Sequence, residues 1–158
     1  MKHIINQVHK SLLKNKKTVS VAESCTGGLL STYLTQVSGS SRYFIAGVVA
    51  YSNEIKERAL KIPPSIIARK GAVSREVASI MAKQIRKIAK TDFGIGITGI
   101  AGPTGATPQK RVGTVFIAFV SKNKRICNKF IFKGKRAAVR EKAALKALEL
   151  LNENIHCH

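Results

Sequence analysis

The hydrophobic positions of this chain recur at two different spacings, and the spacing changes several times along the sequence. Between residues 3 and 15, apolar side chains stand three or four positions apart, which predicts an amphipathic first helix. The short run 18–22 predicts a strand. The continuous apolar run 43–51 (YFIAGVVAY) predicts a second strand, buried on both faces.

The remaining elements follow from the same patterns, with proline, serine and glycine marking their ends. Further helices are predicted over residues 29–37, 53–60, 65–69, 74–90 and 135–152. Further strands are predicted over residues 93–98, 112–120 and 125–132. Pro63 and Pro64 end the helix that begins at Asn53, and Ser74 is the predicted N-cap of the helix that runs to Lys90.

The order of these elements predicts the fold class. Strands alternate with helices through the first two-thirds of the chain, and a pair of strands joined by the polar turn 121–124 follows. We therefore expect an α/β fold: a three-layer sandwich with a mostly parallel sheet, an antiparallel edge hairpin and helices on both faces. No repeat, low-complexity segment or linker marks a boundary, so we expect one domain over residues 1–158.

Composition argues against membrane, secreted and metal-binding classes. No apolar run reaches the roughly 18 residues that span a bilayer, and residues 1–7 lack the apolar core of a secretory signal. Cys25, Cys127 and Cys157 are too widely spaced for a zinc knuckle and too few for a disulfide framework. The tail 155–158 imitates a metal-binding tract but has no further ligands in register. We expect a cytoplasmic protein without a metal.

The charge is unusual. The chain has 28 Lys and Arg against 8 Asp and Glu, a formal net charge of +20. Such a field attracts polyanions and steers anionic small molecules. The basic residues are spread along the sequence and are not interleaved with the aromatic residues that stack on bases. We therefore expect no specific nucleic-acid partner, and a basic nucleic-acid-associated binding protein remains the alternative function.

Polar residues gather after each of the first three predicted strands. These clusters span residues 23–28, 51–56 and 98–105. In open α/β sheets, ligands bind beyond the carboxyl ends of the strands. The three clusters are therefore expected to converge on one site.

Ser24 is the candidate nucleophile of the first cluster. It stands at a strand-to-helix turn followed by Gly27 and Gly28. Free backbone amides at such a turn, with the positive end of the helix, stabilise an oxyanion in acyl transfer. The alternative is that Ser24 is only the N-cap of the helix. Cys25 is expected to be a small buried residue, because adjacent residues at a turn point in different directions.

A serine nucleophile needs a base, and the second cluster offers a lysine. All four histidines lie near the chain ends, which argues against a serine–histidine–aspartate triad. Lys56 falls in the first turn of a predicted helix, where the helix dipole and partial burial lower a lysine's pKa. Tyr51 would relay a proton or orient Lys56. The alternative for Lys56 is an ordinary solvated lysine.

The third cluster and the last helix supply candidates for phosphate binding. The loop 99–105 lacks the Gly-Lys-Ser/Thr of a P-loop, so a phosphate cradle and a plain tight turn both remain open. Arg136 and Arg140 are four positions apart on the last predicted helix and so share a face, where they would hold a phosphate between them. Solvated arginines are the alternative.

Together, these segments closely resemble the CinA carboxyl-terminal domain family. The resemblance extends from about residue 4 to residue 152 and rests on residues 22–28 (AESCTGG), 39–41, 51–56, 71–74, 98–103 (TGIAGP) and 112–115. Residues 104–107 (TGAT) depart from the Asp-Gly-Gly that often follows Gly-Pro in the family, which leaves the pocket mouth more positive.

The resemblance implies a reaction and a set of residues. It implies hydrolysis of the carboxamide of nicotinamide mononucleotide to nicotinic acid mononucleotide and ammonia, without metal or organic cofactor, in pyridine-nucleotide salvage. Ser24 is then the nucleophile, with Lys56 and Tyr51 nearby. The residues expected to bind substrate are Cys25, Thr26, Gly27, Gly28, Ser40, Ser41, Thr98, Gly99, Gly102, Arg136 and Arg140. We also expect a homo-oligomer.

Overall fold

The computed structural model describes residues 1–155 and contains, within that range, one five-stranded sheet. The strands are Val19–Glu23 (β1), Phe44–Val49 (β2), Phe93–Gly99 (β3), Thr114–Val120 (β4) and Arg125–Ile131 (β5). Their order across the sheet is β2–β1–β3–β4–β5. The strands β2, β1 and β3 run parallel, β4 is antiparallel to β3, and β5 is antiparallel to β4. The predicted parallel sheet with an antiparallel edge hairpin is confirmed.

The helices agree closely with the sequence patterns. In the described range they are Lys2–Asn15 (α1), Leu29–Thr35 (α2), Asn53–Leu60 (α3), Pro64–Lys70 (α4), Arg75–Ala89 (α5) and Arg136–Asn154 (α6). The hydroxyl oxygen of Ser52 accepts from the amide of Ile55 at 3.1 Å, and that of Ser74 accepts from the amide of Val77 at 3.3 Å. These side chains cap α3 and α5, as predicted for Ser74.

The helices cover both faces of the sheet. On one face, α1, α2 and α6 bury residues such as Leu12, Leu34 and Leu148 against β1, β3 and β4. On the other face, α5 packs on the sheet with α3 and α4 beside it, burying Leu60 and Met81. The predicted three-layer arrangement is thus confirmed.

Two glycines allow α5 to lie directly on the central strand β3. A Cβ atom at Gly94 would lie 2.2 Å from the carbonyl oxygen of Ala82, and one at Gly96 would lie 2.3 Å from that of Ala78. Both distances are far below van der Waals contact, so a side chain at either position would push α5 off the sheet. This close packing fixes α5, and with it the loop that precedes it, relative to β3.

The prediction that residues 43–51 form a strand buried on both faces is wrong. The strand β2 lies at the edge of the sheet, and its residues alternate between part-buried and exposed. Ile45 is 50% exposed and Val49 is 46% exposed. An apolar run does not distinguish a central strand from an edge strand, because strand order depends on pairings between distant segments.

The parallel part of the sheet determines where a ligand can reach the strand ends. Because β1, β2 and β3 are parallel, their carboxyl ends lie side by side, and three loops leave the sheet there. None of the described helices is long and apolar enough to cross a bilayer. The tail residues His156, Cys157 and His158, named above as a metal-like tract, lie outside the described residues.

Candidate active site

A pocket of about 260 Å³ lies at the carboxyl ends of the three parallel strands. All three polar clusters contribute to its lining, together with the loop before α5 and the first residue of α6. Its lining residues are Ser24, Cys25, Tyr51, Asn53, Lys56, Ala72, Val73, Thr98, Gly99, Ile100, Ala101, Gly102, Thr104, Gly105 and Arg136. The sheet topology thus brings together segments that are far apart in the sequence.

Ser24 lies in a turn between β1 and α2 and is not a helix cap. Its amide donates to the carbonyl oxygen of Ile97 in β3 at 3.0 Å, and its own carbonyl accepts from the amide of Gly27 at 3.0 Å. The N-cap of α2 is Gly28, four residues later. The N-cap alternative for Ser24 is therefore wrong, and its side chain lines the pocket.

Glu23 fills the position that a capping serine would take, and the sequence patterns did not single it out. One carboxylate oxygen accepts from the amides of Gly28 and Leu30, at 3.1 and 3.0 Å. The other accepts from the amide and the hydroxyl of Ser31, at 2.8 and 2.7 Å. Glu23 is fully buried, and its negative charge faces the positive end of α2. The available signal was a glutamate at the end of a strand, six positions before the first residue of the next helix.

The same contacts reduce the number of amides left to stabilise an oxyanion. The amide of Gly28 is held by Glu23 and that of Gly27 by the carbonyl of Ser24, so the positive end of α2 is already occupied. In the described chain, the amides of Cys25 and Thr26 donate to no backbone carbonyl. These two amides, rather than the whole segment 25–28, are the candidate donors.

Lys56 is buried, with only 2% of its surface exposed, so the alternative of a solvated lysine is wrong. It lies in the first turn of α3, and its side-chain nitrogen donates to the backbone carbonyl of Tyr51 at 3.0 Å. Burial lowers its pKa from the usual value of 10.5, and the neighbouring Cys25 opposes that shift. A lysine in such a place is able to act as a base.

The phenol of Tyr51 faces a different partner. Its side chain is on the outer side of the pocket, and its hydroxyl oxygen accepts from the guanidinium of Arg136 at 2.7 Å. Arg136 also donates to the carbonyl oxygen of Gly102 at 2.8 Å. Arg136 therefore spans the pocket mouth between the end of β2 and the glycine loop. Tyr51 orients Lys56 through its main-chain carbonyl, while its phenol lies at the mouth.

Cys25 lines the pocket next to Ser24, but its thiol is expected to be unreactive. Its side chain is 5% exposed, and burial raises its pKa to about 12. A thiol with that pKa is almost entirely protonated near neutral pH, and the protonated form is a poor nucleophile. This agrees with its expected place as a small buried residue.

The glycines of the loop after β3 are required by packing. Gly102 has a φ of +81°, and a Cβ atom there would lie 2.5 Å from the side chain of Val112. A Cβ atom at Gly99 would lie 2.7 Å from the side chain of Val115. Of the two interpretations left open above, the tight turn explains these glycines. The Thr98 hydroxyl donates to the carbonyl of Ala72 at 2.8 Å, which ties the loop before α5 to the end of β3.

Several residues proposed to bind substrate do not line the pocket. Arg140 donates to the carbonyl oxygen of Thr26 at 2.9 Å, so it supports the serine turn and, unlike Arg136, does not line the pocket. Ser40 and Ser41 lie in a 3-10 turn, Ser40–Arg42, immediately before β2. Because β2 runs parallel to β1, that turn lies at the amino-terminal ends of the parallel strands, and the pocket lies at their carboxyl ends.

A second cavity of about 500 Å³ adjoins the first and shares a wall with it. Ala101, Gly102 and Arg136 line both, and Pro103, Val112, Gly134 and Lys135 complete the second. Small-molecule sites have volumes of about 300–1,000 Å³. The two cavities together have room for a ligand larger than the polar pocket alone would hold.

Comparison with known proteins identifies relatives over nearly the whole chain. A protein of Leptospira biflexa described as "CinA-like protein" is 46% identical to this chain over 153 residues, which cover 96% of this chain and 37% of the relative. That of Koribacter versatilis is 49% identical over 138 residues, which cover 87% of this chain and 33% of the relative. The chain thus spans about a third of the length of these relatives.

Solved structures with the same fold cover their own chains almost completely. The competence damage-inducible protein A of Klebsiella pneumoniae superimposes with a TM-score of 0.95 at 29% identity, covering 99% of this chain and 98% of that one. The competence/damage inducible protein of Agrobacterium tumefaciens superimposes with a TM-score of 0.89 at 33% identity, covering 94% and 93%. The model of the CinA C-terminal domain matches residues 1–155, and this chain belongs to that family.

Proposed function

We propose that this chain hydrolyses the carboxamide of nicotinamide mononucleotide, giving nicotinic acid mononucleotide and ammonia. The observation that supports this most strongly is that Ser24 and the buried Lys56 line one pocket. A serine in one pocket with a lysine whose pKa is lowered supplies the two groups that acyl transfer by a serine–lysine pair needs. The substrate is inferred from the family resemblance of residues 22–28 and 51–56, the two segments that contain Ser24 and Lys56.

Acylation begins with removal of the Ser24 hydroxyl proton by the neutral side chain of Lys56. The hydroxyl oxygen then attacks the carboxamide carbon, and the carbonyl oxygen becomes an oxyanion. The amides of Cys25 and Thr26 would donate to that oxyanion. Lys56 returns the proton to the amide nitrogen, the carbon–nitrogen bond breaks, and ammonia leaves.

Deacylation repeats the sequence with water. Lys56 takes a proton from a water molecule, whose oxygen attacks the ester carbon bound to Ser24. The bond between that carbon and the serine oxygen breaks, and the serine oxygen recovers its proton from Lys56. One water is consumed, and one ammonia and one carboxylic acid are released.

Arg136 is the proposed contact for the phosphate of the nucleotide. Its guanidinium has five N–H donors, and the contacts to Tyr51 and Gly102 use two of them. The remaining donors are available to a phosphate oxygen, and such charge-assisted hydrogen bonds are strong. With Arg136 on the wall between the two cavities, the carboxamide would point to Ser24 and the ribose phosphate to the second cavity.

The decisive experiment follows ammonia release from nicotinamide mononucleotide by the purified chain in the presence of a chelator. We expect release by the wild type and, in the Ser24→Ala variant, a fall of at least about a thousandfold. The matched control is Ser52→Ala, which removes a serine on the neighbouring loop that caps α3 and does not line the pocket. Turnover by Ser24→Ala near the wild-type rate would contradict the proposal.

A further inference from the structure

A concave pocket of about 330 Å³ lies at the end of the sheet opposite the candidate active site. The turns between α1 and β1, between α5 and β3, and between β4 and β5 surround it, because β1 and β3 begin at this end and the antiparallel strand β4 finishes there. Its nine lining residues are Lys17, Arg86, Lys90, Thr91, Asp92, Phe93, Ser121, Lys122 and Asn123. It shares none of them with the pocket that contains Ser24.

The fold concentrates positive charge in this pocket. Four of the nine lining residues are basic, and Asp92 is the single acidic one. The basic residues come from the α1–β1 turn, the end of α5 and the β4–β5 turn, which are far apart in the sequence. Basic residues that are evenly spread along the chain therefore converge on one concave surface, where their combined field raises the local concentration of anions.

Asp92 holds two of these cations in place. Its carboxylate accepts from the side-chain nitrogen of Lys17 at 3.3 Å and from the amide and hydroxyl of Thr18 at 2.9 and 3.0 Å. Its main-chain carbonyl accepts from Nε of Arg86 at 2.9 Å. A guanidinium has five N–H donors, so four donors on the two terminal nitrogens of Arg86 remain for a ligand within the described chain.

The other two cations have no counter-ion among the described residues. Within residues 1–155, the ammonium groups of Lys90 and Lys122 make no hydrogen bond or ion pair. Four positive charges against one negative charge leave the pocket with an excess of three. Like charges that share a small volume repel one another, and an anion bound among them would relieve that repulsion.

We propose that this pocket binds the phosphate chain of a polyphosphate anion, either free or as the tail of a nucleoside triphosphate. An excess of three positive charges matches several linked phosphates better than one phosphate dianion. Arg86 offers the paired donors that phosphate oxygens accept from. The volume is at the lower end of the roughly 300–1,000 Å³ of small-molecule sites, so the pocket would hold the chain itself and leave a nucleoside outside.

The lining favours a compact anion over a nucleic-acid strand. Its basic side chains approach one concave volume from three turns, whereas binding to a duplex needs cations spread along an extended surface. Phe93 is only 2% exposed, so it offers no aromatic face on which a base can stack. The exposed Asn123 supplies a neutral donor for a phosphate oxygen.

Titration calorimetry with inorganic tripolyphosphate, at about 150 mM KCl with a chelator, tests the site. We expect one site per chain with a Kd of about 100 μM or tighter. The double variant Lys90→Gln, Lys122→Gln should bind at least about tenfold more weakly, because two charged contacts are removed.

The matched control is the double variant Lys10→Gln, Lys61→Gln, which removes the same charge from exposed lysines outside the pocket. Lys61 follows α3 with a φ of 53°, just as Lys90 follows α5 with a φ of 53°, so both changes fall on the same backbone conformation. The control should bind like the wild type. Equal weakening in the two double variants, or no binding by the wild type, would overturn the proposal.

Amide chemical shifts determine where the ligand binds. Tripolyphosphate should shift the amide signals of residues 91–93 and 121–123 and leave those of residues 98–105 unchanged. A parallel titration with ATP distinguishes the two sources of the chain: tighter binding of ATP would mean that the nucleoside is also recognised, and equal binding that the phosphate chain alone is. Shifts confined to residues 98–105, or displacement by an equal concentration of sulfate, would overturn the proposal.

These outcomes are independent of the proposed function. The double variant Lys90→Gln, Lys122→Gln should release ammonia at the wild-type rate, because neither residue lines the pocket of Ser24. If the wild type releases no ammonia but binds tripolyphosphate at residues 91–93 and 121–123, the proposed function fails and the anion site stands. If the wild type releases ammonia and binds no tripolyphosphate, the proposed function stands and the anion site fails.

Discussion

The side-chain nitrogen of Lys56 donates a 3.0 Å hydrogen bond to the main-chain carbonyl of Tyr51. The contact joins the first turn of α3 to the end of β2, which fixes the nitrogen in the pocket. A carbonyl dipole positions an amine without the strong stabilisation of its charged form that a carboxylate gives. Burial therefore dominates and lowers the pKa of Lys56.

The rate of ammonia release should rise with pH and level off below pH 10.5. The reason is that the proposed base acts in its neutral form, and burial lowers the pKa of Lys56 below 10.5. The Lys56→Arg variant keeps the charge but does not deprotonate, so its rate should fall by about a hundredfold or more. Steady-state rates between pH 6 and 10 provide the check. A wild-type rate that falls as the pH rises from 6 to 10, or an active Lys56→Arg variant, would rule out this base.

The same burial makes Lys56 a cost to stability near neutral pH. With its pKa lowered on folding, Lys56 binds fewer protons in the folded state than in the unfolded state, so stability should rise with pH up to about 10.5. The Lys56→Met variant removes the buried amine, and we expect it to unfold at a higher temperature than the wild type at pH 7. That advantage should shrink at pH 10. Lower stability of Lys56→Met at both pH values would contradict this account.

Cys25 should be dispensable for turnover. Its pKa of about 12 leaves about one thiol in ten thousand ionised at pH 8, so iodoacetamide should modify it very slowly in the folded chain. The Cys25→Ala variant should keep a near-normal rate and lose less than about 2 kcal/mol of stability. Mass spectrometry of modified peptides, with unfolded protein as the control, checks the reactivity. Rapid modification that removes activity would point to a thiol nucleophile.

Glu23 should be important for stability. The Glu23→Ala variant leaves three amides and a hydroxyl without an acceptor inside the protein, so we expect a loss of about 3 kcal/mol or more in the free energy of unfolding. The matched control is Glu54→Ala, which removes an exposed carboxylate and an i,i+4 ion pair with Arg58 and should cost about 0.5 kcal/mol. Urea unfolding provides both values. Equal losses would mean that the Glu23 contacts contribute little.

The net charge of +20 should produce weak DNA binding that disappears with salt. Binding through phosphate contacts alone releases counterions, so we expect it to be detectable at about 50 mM salt and lost near about 200 mM. Duplexes of different sequence should compete equally in a fluorescence-anisotropy titration. Sequence-preferring binding that survives at the higher salt would favour the alternative of a nucleic-acid-associated protein.

Local chemistry made most elements predictable. The helix α3 has the predicted bounds 53–60: Pro63 and Pro64 marked its end in the sequence, and the structure adds Ser52 as the cap at its start. The helix α5 was predicted from Ser74, whose hydroxyl accepts from the amide of Val77. Such signals depend on residues within one turn of each other, so a single sequence contains them.

What the sequence did not reveal depends on distant pairings. The edge position of β2, and hence the exposure of Ile45, follows from the order of the strands, which no local pattern encodes. The different partners of Arg136 and Arg140 likewise follow from where α6 crosses the serine turn and the glycine loop. The burial of Lys56 was one of two interpretations that the sequence left open, and only the packing of α3 against the strand ends decides between them.

The position of β3 between β1 and β4 has a consequence for how the pocket is assembled during folding. Four helices and β2 separate β1 from β3 in the sequence, so the pairing that holds the amide of Ser24 against Ile97 closes a long loop. Contacts of this kind form slowly, because the entropy of loop closure must be overcome first. Recovery of the proposed ammonia release during refolding should therefore follow the slowest phase, and no helical intermediate should release ammonia.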